Sequence, residues 1–230
     1  MTSGERDAAL SVYERVLGAE VETLPPVLRR YFGAILDGHV GVGEGVYSVV
    51  GSRYRRVAGA LLRWSARHDV LFPEGGRDVP FVVENRIGPD GSLEGTRWFG
   101  FPRVTRVMRD TMRADRGAIV ERLGRRGGLE VRLSASATPR GMVLRSRRLA
   151  WWVRGIRVPL PPLAGVEVRE SDAGGGRQGV DVRLRMPLVG EVFRYSGTFA
   201  YRIVRESDSG PAVSPGLPTL SMWLTQNSPN

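Results

Sequence analysis

The chain has 230 residues and a formal net charge of +10, and all 34 of its basic residues are arginine. Without lysine or cysteine, and with only His39 and His68, it excludes a Schiff-base lysine, a thiolate nucleophile and a cysteine-bearing zinc site. A general base must then be a histidine or a carboxylate with a shifted pKa.

Residues 5–17 read as an amphipathic helix with Ala9, Tyr13, Val16 and Leu17 on one face, Thr2 or Ser3 as cap and Gly18 as stop. The acids and missing apolar core of its first residues argue against a secretory signal, and no apolar run approaches the ~18 residues of a membrane span, so the cytoplasm is the default. Pro25 and Pro26 open a short helix through Phe32. Residues 40–50 alternate with period two and predict a strand. Residues 53–67 predict the best helix, with Val57, Ala58, Leu61 and Trp64 on its apolar side.

Beyond residue 76 the pattern is almost entirely strand. The segments 79–87 and 93–101 flank Pro89-Asp90-Gly91-Ser92, a hairpin signal. Further strands are expected at 103–109, 118–123, 129–137, 142–153, 166–171, 180–186 and 192–204, with Pro159 to Pro162 as a corner. Residues 206–230, dominated by Ser, Pro and Gly, read as a mostly disordered tail.

About nine or ten short antiparallel strands with one or two amphipathic helices make an α+β domain. Residues 1–205 form one unit, with helices in 5–33 and a strand-rich core over 40–205 that includes the 53–67 helix. A sheet this large curls, so the expected form is a strongly curved half-barrel or near-closed barrel gripping the 53–67 helix.

Several blocks resemble a bacterial family, domain of unknown function 4166. They are Tyr13-Glu14-Arg15-Val16-Leu17-Gly18, Leu24-Pro25-Pro26, Leu28-Arg29-Arg30, Arg97-Trp98-Phe99-Gly100, Val120-Glu121-Arg122-Leu123-Gly124, and Met186-Pro187-Leu188-Val189-Gly190 with Tyr195-Ser196-Gly197. The resemblance implies a stand-alone or accessory domain, sometimes attached to a nucleotide-dependent oxidoreductase, and so an oxidoreductase as partner. It implies no established activity. A histidine that often follows the first arginine pair in that family is replaced here by Tyr31-Phe32. The chain has no glycine-rich dinucleotide fingerprint, so no NAD and no other cofactor is expected.

Three charges fall on apolar strand faces: Arg97 with Phe99 and Phe101, Glu121 between Ile119 and Leu123, and Glu44 with Val40, Val42 and Val46. Such charges are costly unless paired or facing a wet cavity. An internal salt-bridge network, a slipped register that returns them to solvent, and ligand contact all fit. The two histidines have no metal-ligand spacing.

The leading functional expectation is a non-catalytic module that holds an apolar or lipid-like small molecule, or an accessory to an oxidoreductase. Arg97, Glu121 and Glu44 would orient a polar head, and Trp98, Phe99, Tyr195 and Phe199 would line the cavity. One alternative is an isomerase, cyclase or hydrolase using Glu121 or Glu44 as base. Another is an arginine-rich binder of anionic surfaces. Nucleic acid is disfavoured as a partner, because the arginines alternate with apolar residues as on a wet strand face and lack interleaved aromatics.

Overall fold

The structure is a computed structural model that describes residues 10–54, 59–162 and 164–208. Its strands are β1 (His39–Gly51), β2 (Val79–Ile87), β3 (Leu93–Phe101), β4 (Val104–Asp115), β5 (Ala118–Leu123), β6 (Leu129–Thr138), β7 (Gly141–Val153), β8 (Ile156–Leu160), β9 (Gly165–Asp172), β10 (Gln178–Met186) and β11 (Gly190–Arg205). The helices are α1 (Val12–Leu17), α2 (Pro26–Phe32) and α3 (Gly59–Arg67). Every strand pairing is antiparallel, in the order β6-β5-β4-β3-β2-β1-β11-β10-β9-β7-β8. A further pairing joins β6, at one end of that order, to β7, the last strand but one at the other. Ten strands therefore close into a barrel, and β8 extends one wall beyond it. The strongly curved sheet expected from sequence goes to full closure.

Closure is helped by a glycine stripe. Gly41, Gly43 and Gly45 alternate along β1 and face inward, where rings from β11 occupy the space their side chains would take. A Cβ on Gly41 would lie 1.6 Å from the Tyr201 hydroxyl, and one on Gly45 would lie 2.6 Å from Phe199 Cβ. Val40 and Val42 consequently face outward, where they pack with Val82, Trp98 and Val204 in a separate cluster.

Both N-terminal helices seal one end of the barrel. Ser11 caps α1 by accepting from the Glu14 amide while the Glu14 carboxylate accepts from the Ser11 amide, a reciprocal capping box. The Ser11 hydroxyl also donates to the Phe32 carbonyl at 2.6 Å, tying the start of α1 to the end of α2. Tyr13, Tyr31 and Phe32 are buried in the core, with Tyr13 and Phe32 rings 4.6 Å apart. The expected helix over 5–17 thus begins at Val12. Its proposed caps Thr2 and Ser3 lie outside the described residues.

The helix predicted over 53–67 is corrected in three respects. It is described from Gly59, and Arg53 and Tyr54 form a turn. Its buried residues are Gly59, Leu62 and Ser65, whereas Trp64 is 40% exposed; Val57 and Ala58 lie outside the described residues. It is not gripped by the sheet but sits at the barrel end opposite α1 and α2, near Leu123, Trp151 and Phe193. Strand β8 takes in Pro159 and Leu160, and the chain leaves it at Pro161-Pro162, the second half of the expected proline corner; β4 extends to Asp115 before its turn at Arg116-Gly117. Of the expected tail, Glu206–Asp208 form one 3-10 turn, and the remainder lies outside the described residues. Among the described residues no helix is long and apolar enough to cross a membrane.

Gly41→Ala is expected to cost about 1–3 kcal/mol through overpacking against Tyr201. Urea unfolding checks this as a lower midpoint at unchanged slope.

Candidate functional site

The barrel interior is not completely filled. A cavity of about 230 Å³ remains between the helix-sealed end and Leu71, enclosed mainly by apolar side chains such as Phe81, Met112, Val131, Leu133 and Val182. An outer chamber of about 480 Å³ lies under α3, walled by Leu62, Trp64, Trp151, Met186 and Val189. Val70, Leu71, Leu123, Leu129, Leu184 and Phe193 border both, so the two chambers are neighbours that share these side chains as their common wall.

Charge enters the inner chamber from adjacent strands. Arg97 on β3 forms an ion pair with Asp110 on β4, whose side chains are 16% and 2% exposed. Gly95, directly opposite Asp110, makes room for that pair, since a Cβ there would meet an Asp110 carboxylate oxygen at 2.9 Å. Burial raises the Asp110 pKa, with Arg97 pulling it down in part. Burial also opposes the Arg97 charge, but Asp110, Tyr31, Tyr195 and Glu121 around it outweigh that and hold its proton firmly.

Glu121 on β5 lies on the same inner wall, opposite Met112 and Val131. Its carboxyl has no hydrogen-bond or ion-pair partner among the described residues. Burial and then the Asp110 charge push its pKa up to about 8, against a smaller downward pull from Arg97. The surface it retains looks onto the cavity. Glu170 on β9 faces the same space and accepts from the Gln178 amide nitrogen. Burial raises its pKa to about 7, opposed by the Gln178 bond and Arg97. The Gln178 side-chain oxygen is itself buried without a partner.

Tyrosines complete the polar lining. The Tyr13 hydroxyl donates to Met112 Sδ at 3.3 Å, and behind the lining the Asn85 amide donates to the Tyr201 hydroxyl at 3.3 Å. Tyr47 and Tyr195 stand edge to face, with centroids 5.1 Å apart. Both line the chamber, and neither hydroxyl has a hydrogen-bond partner among the described residues. Burial raises both phenol pKa values, so both keep their protons.

Four of the expected site residues, Arg97, Glu121, Tyr195 and Phe199, do meet at this chamber. Phe99 is fully buried in the barrel core beside Tyr47 and Phe72, behind the cavity wall. Glu44 and Trp98 require correction of place: they lie on the outer face. Glu44 pairs with Arg202 at 2.8 Å, and Trp98 packs on the Val40–Val42–Val82 cluster. The strand phase predicted for β1 is right, but the valine face points out because the glycine face is inside. Asp110, Glu170 and Tyr47 join the site without having stood out in the sequence, although Asp110 alternates with Met108 and Met112, and Glu170 with Val166 and Val168.

Outside the barrel, arginines line a groove of about 1070 Å³ along β4 to β7, but acids are interspersed. Arg113 pairs with Asp90, Arg132 with Asp115 and Arg157 with Glu130. His39 contacts the Asp37 carbonyl and His68 lies against Trp64, both remote from the inner chamber. Among the described residues no three acidic or histidine side chains gather in a geometry able to hold a metal ion.

Removing one partner of the buried pair gives an asymmetric result. Asp110→Leu is expected to cost about 3–5 kcal/mol wherever the parent carboxylate is ionised, because the stranded guanidinium does not release its proton. The cost of Arg97→Met should shrink on acidification, because Asp110 can take up a proton; denaturant melts at pH 5 and 8 compare them. Glu121 adds its own pH dependence. Its folded pKa, about 8, lies above the ordinary 4.5, so between these values the folded chain binds the extra proton. Stability from this group is therefore full below about 4.5 and is lost as pH rises towards 8, by about 1.4 kcal/mol for each pH step between the two values. Glu121→Gln is expected to flatten that slope and to be more stable than the parent at pH 9, as melting curves across the range will show.

No curated protein and no solved structure matches this chain. A family model does match, over residues 24–199, and that span holds every strand residue that lines the inner chamber and all its charged groups. The chain therefore belongs to the family described as domain of unknown function (DUF4166).

Proposed function

We propose that the barrel is a binding module for a small, largely apolar molecule, held with a polar group in the inner chamber and its apolar remainder towards the outer one. One observation carries the reading: the Glu121 carboxyl faces an apolar cavity with nothing bonded to it among the described residues. A carboxyl used only to hold the sheet would sit in a pair, as Asp110 does with Arg97. An unpaired one costs stability that a leucine would not, and a bound molecule offsets that cost by supplying the missing hydrogen bond. The lining fits such a guest, with a continuous apolar wall and a few convergent polar groups. Binding here needs no oxidoreductase; association with one, implied by the resemblance, would be a separate property of the outer surface.

Native mass spectrometry of the protein purified gently from its host, followed by solvent extraction, tests the reading. The expected result is a bound species of defined mass that is lost on denaturation. Leu133→Trp, which drives a larger ring into the inner chamber, should remove that species while circular dichroism shows the sheet intact. A clean apo mass together with an extract free of small molecules sinks the proposal.

A further inference from the structure

The chamber also discriminates among polar groups, and this step rests on the binding reading above. Its single cation among the described residues, Arg97, is already neutralised by Asp110, so no free positive charge awaits a carboxylate or phosphate. Glu170, whose pKa of about 7 leaves it partly ionised at pH 7, lines the same space and would repel an anion, and an anion buried without a free cation carries an uncompensated desolvation cost. What the chamber does offer is unpartnered hydrogen-bonding capacity: the hydroxyls of Tyr47 and Tyr195 and the carboxyl of Glu121. Tyr47 is 2% exposed and Tyr195 9%, so neither satisfies its hydroxyl in bulk water.

Buried phenols stay protonated and act as O–H donors at any pH the fold survives. Glu121, its pKa raised by burial to about 8, is mostly the neutral acid at pH 7 and is a third donor. Asp110 and Arg97 face it from β4 and β3, Tyr195 from β11, and Glu170 lines the far wall. A cluster of O–H donors without a free cation matches an uncharged acceptor oxygen. The outer chamber, with Trp64, Trp151, Met186 and Val189, then receives a hydrocarbon remainder.

We infer that the occupant is an uncharged apolar molecule with a carbonyl oxygen at its leading end (a ketone, quinone or ester), received by Tyr47, Tyr195 and Glu121. Fatty acids and other anionic amphiphiles are disfavoured in the inner chamber because Arg97 is already paired with Asp110 and Glu170 carries partial negative charge.

The test uses delipidated full-length protein and four probes of one chain length: methyl nonyl ketone, undecanol, undecanoate and undecane. Affinities at pH 7 are read by calorimetry and by quenching of the tryptophans around the outer chamber. The ketone should bind about tenfold or more tighter than undecane, the equivalent of one good buried hydrogen bond, and tighter than undecanol. Undecanoate should bind more weakly than the ketone, and Tyr195→Phe should narrow the ketone-to-undecane ratio. If all four bind alike, the chamber holds apolar molecules but does not read a carbonyl, and this inference falls while the binding reading stands. Tightest binding by undecanol or by undecanoate likewise overturns it. If none binds, the binding reading falls as well.

Discussion

Closure at the β6–β7 seam is the constraint on which the rest of the structure depends. A ten-stranded barrel encloses more space than the inward side chains of its own strands readily fill. The excess is met from the ends and from the walls. Tyr13, Tyr31 and Phe32 descend from α1 and α2, and the fully buried Phe72 enters from the other end to pack on Phe99 and Phe193. Across one wall the compensation is local: β1 presents glycines where β11 presents Phe199 and Tyr201. Small residues facing large ones keep the barrel near native density there. Where this filling stops, the chamber begins, and its boundary is where rings and aliphatic groups give way to Arg97, Glu121 and Glu170.

Two kinds of buried charge coexist within a few strands, and they differ energetically. Arg97 and Asp110 satisfy one another, so together they are tolerable in a low dielectric, although neither is tolerable alone. Glu121 has no such partner and answers its burial by holding a proton, as does Glu170 with only an amide to support it. The inner chamber therefore stays close to neutral near pH 7. Folding alone gives no reason to prefer glutamate over leucine at position 121. Local rules are broken at a cost mainly where a site requires it, which is why this residue outranks the intact ion pair as a marker of function.

The strands were legible because period-two alternation is a strong signal, and nearly every boundary from β2 to β7 follows from glycine and proline punctuation. Inside and outside were not equally legible. Alternation separates the two faces of β1 but does not say which looks inward, and a valine face opposite a glycine face invites the wrong choice. Only the tertiary fact that Tyr201 lies over Gly41 settles it, and Glu44 and Trp98 move outside as a result. Other features were within reach of the sequence. Ser11-Val12-Tyr13-Glu14 is a capping box in plain sequence, and Asp110 and Glu170 show the same polar interruption of an apolar face that exposed Glu121. What no local pattern reveals is that Arg97 selects Asp110 rather than Glu121, because that choice depends on the β3–β4 register and on the room made by Gly95.

The overall charge of the chain is a poor guide to its chemistry for a related reason. On the outer wall arginines sit in high dielectric, many paired with acids, where each contributes little and salt screens it. Among the described arginines, Arg97 is the one that lines the inner chamber. There a single charge shapes the ionisation of Asp110, Glu121, Glu170 and several tyrosines at once. The formal excess of +10 describes the wet surface. The chemistry of the interior turns on one guanidinium, its one counterion, and a carboxyl left over.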